Sequence, residues 1–176
     1  TDEQESAQNK PDIISVVVTN PLIDGKSLRM LHDIIQCDFV ISRLIDASGE
    51  IIIPTSATQI HTGDKLYVVL ASTDVERFEL LVGPQEEMDW DAATPSEVVS
   101  RRILITKSEY NGVALGTLRL HSAYKLNATR VNRAGVDLLA SPNLRLQMGD
   151  RITVVGDIND ISRLADKLGN SMKRLN

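Results

Sequence analysis

A chain of 176 residues that is 42% hydrophobic and 24% charged falls among ordinary globular proteins, and its 3% aromatic content argues against base-stacking platforms and aromatic ligand cages. Its single cysteine, Cys37, excludes a disulfide framework and a thiolate metal site, and no stretch reaches the ~18–20 apolar residues of a membrane-spanning helix. The net charge of −5 hides a gradient, with −7 over residues 1–83, −5 over 84–100 and +7 over 101–176, an asymmetry that bears on partners rather than on fold.

Residues 1–12 read as a polar N-terminal segment, and a start at Thr1 rather than Met suggests a piece of a longer polypeptide. Ile13 to Thr19, β-branched and almost continuously apolar, predicts a buried strand that Asn20-Pro21 ends. Leu28, Leu31, Ile34 and Ile35 recur at helical spacing behind Ser27, a candidate N-cap. Phe39 to Ile45 and Glu50 to Ile53 read as a hairpin around Ala47-Ser48-Gly49, with Pro54 as its stop. Lys65 to Leu70 gives another strand, and Thr73 to Val82 a helix closed by Gly83-Pro84. Residues 84–100, with two prolines, five acids and Trp90, read as an acidic linker in which Trp90 is a packing anchor. The order then repeats: strand Arg102 to Thr106, helix Leu115 to His121, strands Leu126 to Arg133, Val136 to Leu139 and Arg151 to Val155, and helix Ile158 to Leu168.

This repetition is visible residue by residue. Gly63-Asp64-Lys65-Leu66-Tyr67-Val68-Val69 recurs 86 residues later as Gly149-Asp150-Arg151-Ile152-Thr153-Val154-Val155, and Gly49 and Gly135, Asp74 and Asp160, and Gly83 and Gly169 keep the same spacing. A repeat of this length is a small domain copied once. The expected fold is therefore α+β, with two units at 13–83 and 101–176, each strand-helix-strand-strand-strand-helix around a small, mainly antiparallel sheet. Units of this size hold marginal cores, so packing between copies or dimerisation is expected.

No catalytic constellation emerges. Asn20 to Ser27 resembles a phosphate-binding loop, but Asn20 stands where glycine is required and Pro21 removes an N–H donor, so a turn that caps a helix is the preferred reading and nucleotide binding through Lys26 and Ser27 the lowest alternative. Gly-x-Gly-x-x-Gly and Gly-x-Ser-x-Gly are absent; His32, His61 and His121 lack metal-site spacing, and Glu86, Glu87, Asp89 and Asp91 lack a calcium loop. Neither catalysis, metal nor cofactor is expected. Arg130 and Arg133 stand at a strand end just before Gly135, where the first unit has Arg43 and Asp46; forked guanidinium donors suit a phosphate or carboxylate.

The paired Gly-Asp turns with their flanking strands closely resemble the carboxy-terminal subdomain of RCK proteins, the TrkA-C domain. Two in tandem without a preceding Rossmann half resemble the cytoplasmic insert of bacterial aspartate–alanine exchanger-type transporters. The resemblance implies a non-catalytic regulatory module of potassium or amino-acid transport, on the cytoplasmic side of the inner membrane. Its implied partners are transmembrane domains of the same polypeptide, a second copy in a homodimer, and a small anionic effector such as a cyclic dinucleotide, with no nucleic acid. It also implies that an arginine before the turn glycine contacts the effector, which makes Arg130 and Arg133 the candidate residues and leaves Asp46 unsuited to that role. The alternative is a dimerisation module without ligand, held by the complementary charges.

Overall fold

The computed structural model describes residues 10–169, so most of the polar segment 1–12 and the last seven residues lie outside the described part. The chain divides into two compact units between Pro95 and Ser96. In the first, strands β1 (Pro11–Val17), β2 (Phe39–Ile45), β3 (Ile51–Ile52) and β4 (Lys65–Ala71) form a sheet in the order β1-β4-β2-β3, with helices α1 (Leu28–Ile35) and α2 (Val75–Val82). After the short helix α3 (Trp90–Ala93), the second unit sets β5 (Val98–Leu104), β6 (Asn127–Arg133), β7 (Val136–Leu139) and β8 (Arg151–Asp157) in the matching order β5-β8-β6-β7, with α4 (Leu120–Tyr124) and α5 (Ile158–Leu168). Every pairing between these strands is antiparallel.

Strand alternation sends one side of each sheet to the helices. Ile14, Val16, Leu66, Val68 and Leu44 meet Leu31, Ile35, Phe78 and Val82 in the first core; Ile103, Ile152, Val154 and Val131 meet Leu120, Ile161, Leu164 and Leu168 in the second. The Gly-Asp turns set the register of the strands that follow. Gly63 and Gly149 take φ of 91° and 90°, the left-handed region glycine tolerates, and Asp64 and Asp150 accept the N–H of His61 and Gln147, each at 2.8 Å. Equivalent bulges at Ser42 and Thr129 place Arg43 opposite Tyr67 and Arg130 opposite Thr153. The second hairpin turn is one residue shorter, so equivalent residues before it stand 87 apart and those after it 86.

The structure departs from the expected elements in three places. The first strand of the second unit starts at Val98 rather than Arg102, because β8 runs to Asp157 and pairs with it along its whole length. The helix expected at Leu115 to His121 is interrupted: Leu115–Leu118 is a 3₁₀ turn, Arg119 turns left-handed at φ 50°, and α4 follows. Ala114 stands where Ser27 caps α1, so the turn before the break lacks a capping hydroxyl, and Gly116 weakens that turn further. Finally, the acidic segment after α2 is folded onto the first unit as far as Pro95, and Ser96 already belongs to the second.

Candidate functional site

The loop before α1 is committed to its own fold. Asn20 Oδ1 accepts the N–H of Leu22, Gly25 N–H donates to Ile60 O at 2.7 Å, Lys26 N–H donates to Ile23 O, and Ser27 Oγ accepts the N–H of Met30. Leu28 and Arg29 donate to Thr58 O and Ser56 O. A phosphate-binding loop needs such amides free and converging on one anion. The nucleotide reading through Lys26 and Ser27 is therefore set aside.

In the first unit the sheet face away from the helices is strapped. Trp90, 7% exposed, donates its indole N–H to Ser15 Oγ at 3.1 Å and sets its ring edge-on to Tyr67 at 5.5 Å. Arg43 lies over the same tyrosine, 4.7 Å from its centroid, and donates to Thr94 Oγ1, whose hydroxyl donates to Trp90 O. Arg43 is buried, and burial pushes its guanidinium below the usual arginine range. The first unit's counterpart of Arg130 thus serves as a clasp.

Arg130 and Arg133 stand three apart in β6 with no bulge between them, so their side chains leave opposite faces of the sheet. Val131 faces the core, which puts Arg130 on the outer face; its half-buried guanidinium makes no hydrogen bond or ion pair among the described residues. Arg133 is engaged. Its Nε and Nη2 clasp Asp150 at 2.9 and 2.8 Å, Nη2 also donates to Arg145 O at 2.7 Å, and the bond to Asp150 raises its pKa. Asp150 is 1% exposed, so this forked pair fills the charge requirement of the turn. The expected pair of anion contacts is thus one open guanidinium and one structural one.

The first unit answers this pair differently. Asp46, in the place of Arg133, accepts from Ser48 and Glu50 in its own turn, and the Ser48 hydroxyl chiefly holds its pKa low. Asp64, 2% exposed, has no ion pair among the described residues, and burial raises its pKa. The Arg133–Asp150 and Arg43–Tyr67–Trp90 contacts escaped sequence reasoning, since each joins residues distant in the chain. The one available signal was the exchange of Arg133 for Asp46 beside an unchanged Gly-Asp turn.

His32 stacks on Phe39 at 3.8 Å; the thiol of half-buried Cys37 is pushed up to about 11, chiefly by burial, which leaves it protonated and unreactive. Among the described residues no group of three or more His, Cys, Asp and Glu is placed to hold a metal ion, and no helix is long and apolar enough to cross a membrane.

Residues 100–169, from the middle of β5 to the end of α5, match the family model of the TrkA-C domain. The second unit belongs to the TrkA-C family. The TrkA-C domain of this chain and the segment before it together align with an uncharacterized transporter of Bacteroides thetaiotaomicron, 42% identical over 99% of the chain, and with a putative transport protein of Yersinia enterocolitica, 32% identical over 92%. The chain spans about a third of the length of these relatives, 32% and 29% respectively. Solved structures similar to it include the RCK_C domain dimer of S. agalactiae BusR in complex with c-di-AMP, at 21% identity, TM-score 0.36, and coverage of 39% of this chain and 93% of that one. The RCK_C domain of KtrA in complex with c-di-AMP matches at 22% identity and TM-score 0.38, over 44% and 89% of the two chains. The GsuK RCK domain matches at 9% identity and TM-score 0.41, over 91% and 64%.

Proposed function

We propose that this chain is a cytoplasmic, non-catalytic regulatory module of a membrane transporter, with the first unit a second TrkA-C domain. The observation that carries the reading is the TrkA-C match over residues 100–169 in a chain that aligns almost end to end with one third of a transporter-named relative. The common strand order, the paired bulges and the paired Gly-Asp turns support the assignment of the first unit. The module pairs with a second copy and takes a small anionic effector on the second unit through Arg130, with Arg133 holding the adjacent turn in shape. The first unit has neither group to offer: Arg43 is clasped between Tyr67 and Thr94, and Asp46 repels anions. An effector biases an attached transporter only by binding one arrangement of the module better than another.

A thermal-shift screen against cyclic dinucleotides and mononucleotides tests this, because a ligand specific for the folded state raises its melting temperature. Cyclic di-AMP, bound by the BusR and KtrA domains named above, is the first probe. The reading expects a shift with at least one cyclic dinucleotide; no shift with any favours the second reading, a ligand-free dimerisation module. The opposite charges of residues 1–83 and 101–176 support that second reading, which expects dimerisation to weaken steeply with added salt.

A further inference from the structure

The helical layer of the second unit holds a partly open cavity of about 250 Å³ between the turn Ser108–Tyr110, the interrupted segment 113–118, α4 and α5. It lies beside the break in that segment. Arg119 adopts a left-handed conformation at φ 50°, whereas its counterpart in the first unit, His32, lies inside the eight-residue helix α1. Strain of this kind at residues other than glycine is a pointer to function.

The lining is chemically specific. Val113, Leu164 and Leu168 supply an apolar wall, and Tyr110 and Tyr124 add two rings that are each only 8% exposed. Arg163, itself paired with Asp160, covers the ring of Tyr124 at 5.2 Å and holds it in place. Neither tyrosine hydroxyl has a hydrogen-bond partner among the described residues, and neither oxygen is shut off from solvent, so both are open to a ligand. An ammonium, Lys167, and a carboxylate, Glu109, stand on the same lining. The volume lies below the roughly 300–1,000 Å³ of drug-sized sites, which restricts the occupant to a small metabolite.

We propose that this cavity binds a small zwitterion with an aliphatic body, of which leucine is the simplest representative. Its carboxylate takes Lys167 and the two phenol donors, its ammonium takes Glu109, and its side chain lies against Leu164 and Leu168. The site shares no residue with Arg130 or Arg133, so its failure leaves the effector reading intact, and the reverse holds as well.

The test titrates the 176-residue chain with leucine by saturation-transfer NMR and thermal shift, beside 4-methylpentanoate, which lacks the ammonium, and 3-methylbutylamine, which lacks the carboxylate. Leucine is expected to bind and to raise the melting temperature, with both analogues weaker by about ten-fold or more. Tyr110→Phe with Tyr124→Phe is expected to weaken leucine by about ten-fold while the rings keep the core filled. Should that variant melt early, Lys167→Gln at an exposed position carries the test with the same expected loss. No binding of leucine at millimolar concentration, equal binding of either analogue, or leucine affinity unchanged in Lys167→Gln overturns the proposal.

Discussion

Asp64 and Asp150 sit at equivalent turns, each bonded to the amide three residues before it, yet they carry opposite electrostatic debts. Asp150 is neutralised by the forked Arg133, so Asp150→Asn is expected to destabilise the second unit by about 1–3 kcal/mol through the loss of a charge-assisted pair. Asp64 has no such partner, and burial, with Asp46 and Asp24 adding negative field, raises its pKa in the folded state. A carboxylate whose folded pKa exceeds its unfolded one destabilises the native state above that folded pKa and ceases to do so as pH falls through it. Asp64→Asn is therefore expected to raise the melting temperature at neutral pH, with the gain shrinking on acidification; calorimetric scans of both variants across pH check the opposite signs. The duplicated Gly-Asp turns were legible in the sequence because their interactions are local. Arg133 was legible only as a basic residue near a turn, since its bond to Asp150 crosses 17 residues of chain.

At the scale of elements, the two units differ most where one hydroxyl is kept or lost. Ser27→Ala is expected to lower stability by about 1 kcal/mol, the usual value of an N-cap, and Ala114→Ser to raise the stability of the second unit by up to the same amount; denaturant midpoints measure both. The apolar spacing of α1 announced it, but the equivalent stretch at Leu115 to His121 shared that periodicity and was still broken at Arg119, because periodicity does not report the missing cap. In the strap over the first sheet Trp90 was legible as a packing anchor but its docking place was not: the acidic composition around it reads as solvated linker, while this one buried aromatic decides where the segment lies. Trp90 is the only tryptophan, so its emission reports the strap directly. Arg43→Ala is expected to shift that emission to longer wavelength and to increase its quenching by iodide, as the clasp between Tyr67 and Thr94 opens.

For the whole molecule, a recurrent spacing of 86 residues was enough to read two α+β units and their element order, because a repeat is a property of the chain and needs no knowledge of contacts. It could not assign roles to the copies. The differences that matter are three-dimensional: Arg43 clasped against Arg130 open, and Asp46 in its own turn against Arg133 on Asp150. On the proposed reading these make the second unit, over which the TrkA-C model matches, the one that would receive an anion, and they separate binding from stability at neighbouring positions. Arg130→Ala is expected to alter stability by no more than about 0.5 kcal/mol, and Arg133→Ala to lower it by about 1–3 kcal/mol. The most direct measurement is titration calorimetry of cyclic di-AMP into the 176-residue chain and into its Arg130→Ala variant. Saturable binding by the first, lost in the second at an unchanged melting temperature, is the predicted result; equal affinity in both, or no heat of binding in either from this or any other cyclic dinucleotide, would contradict the account.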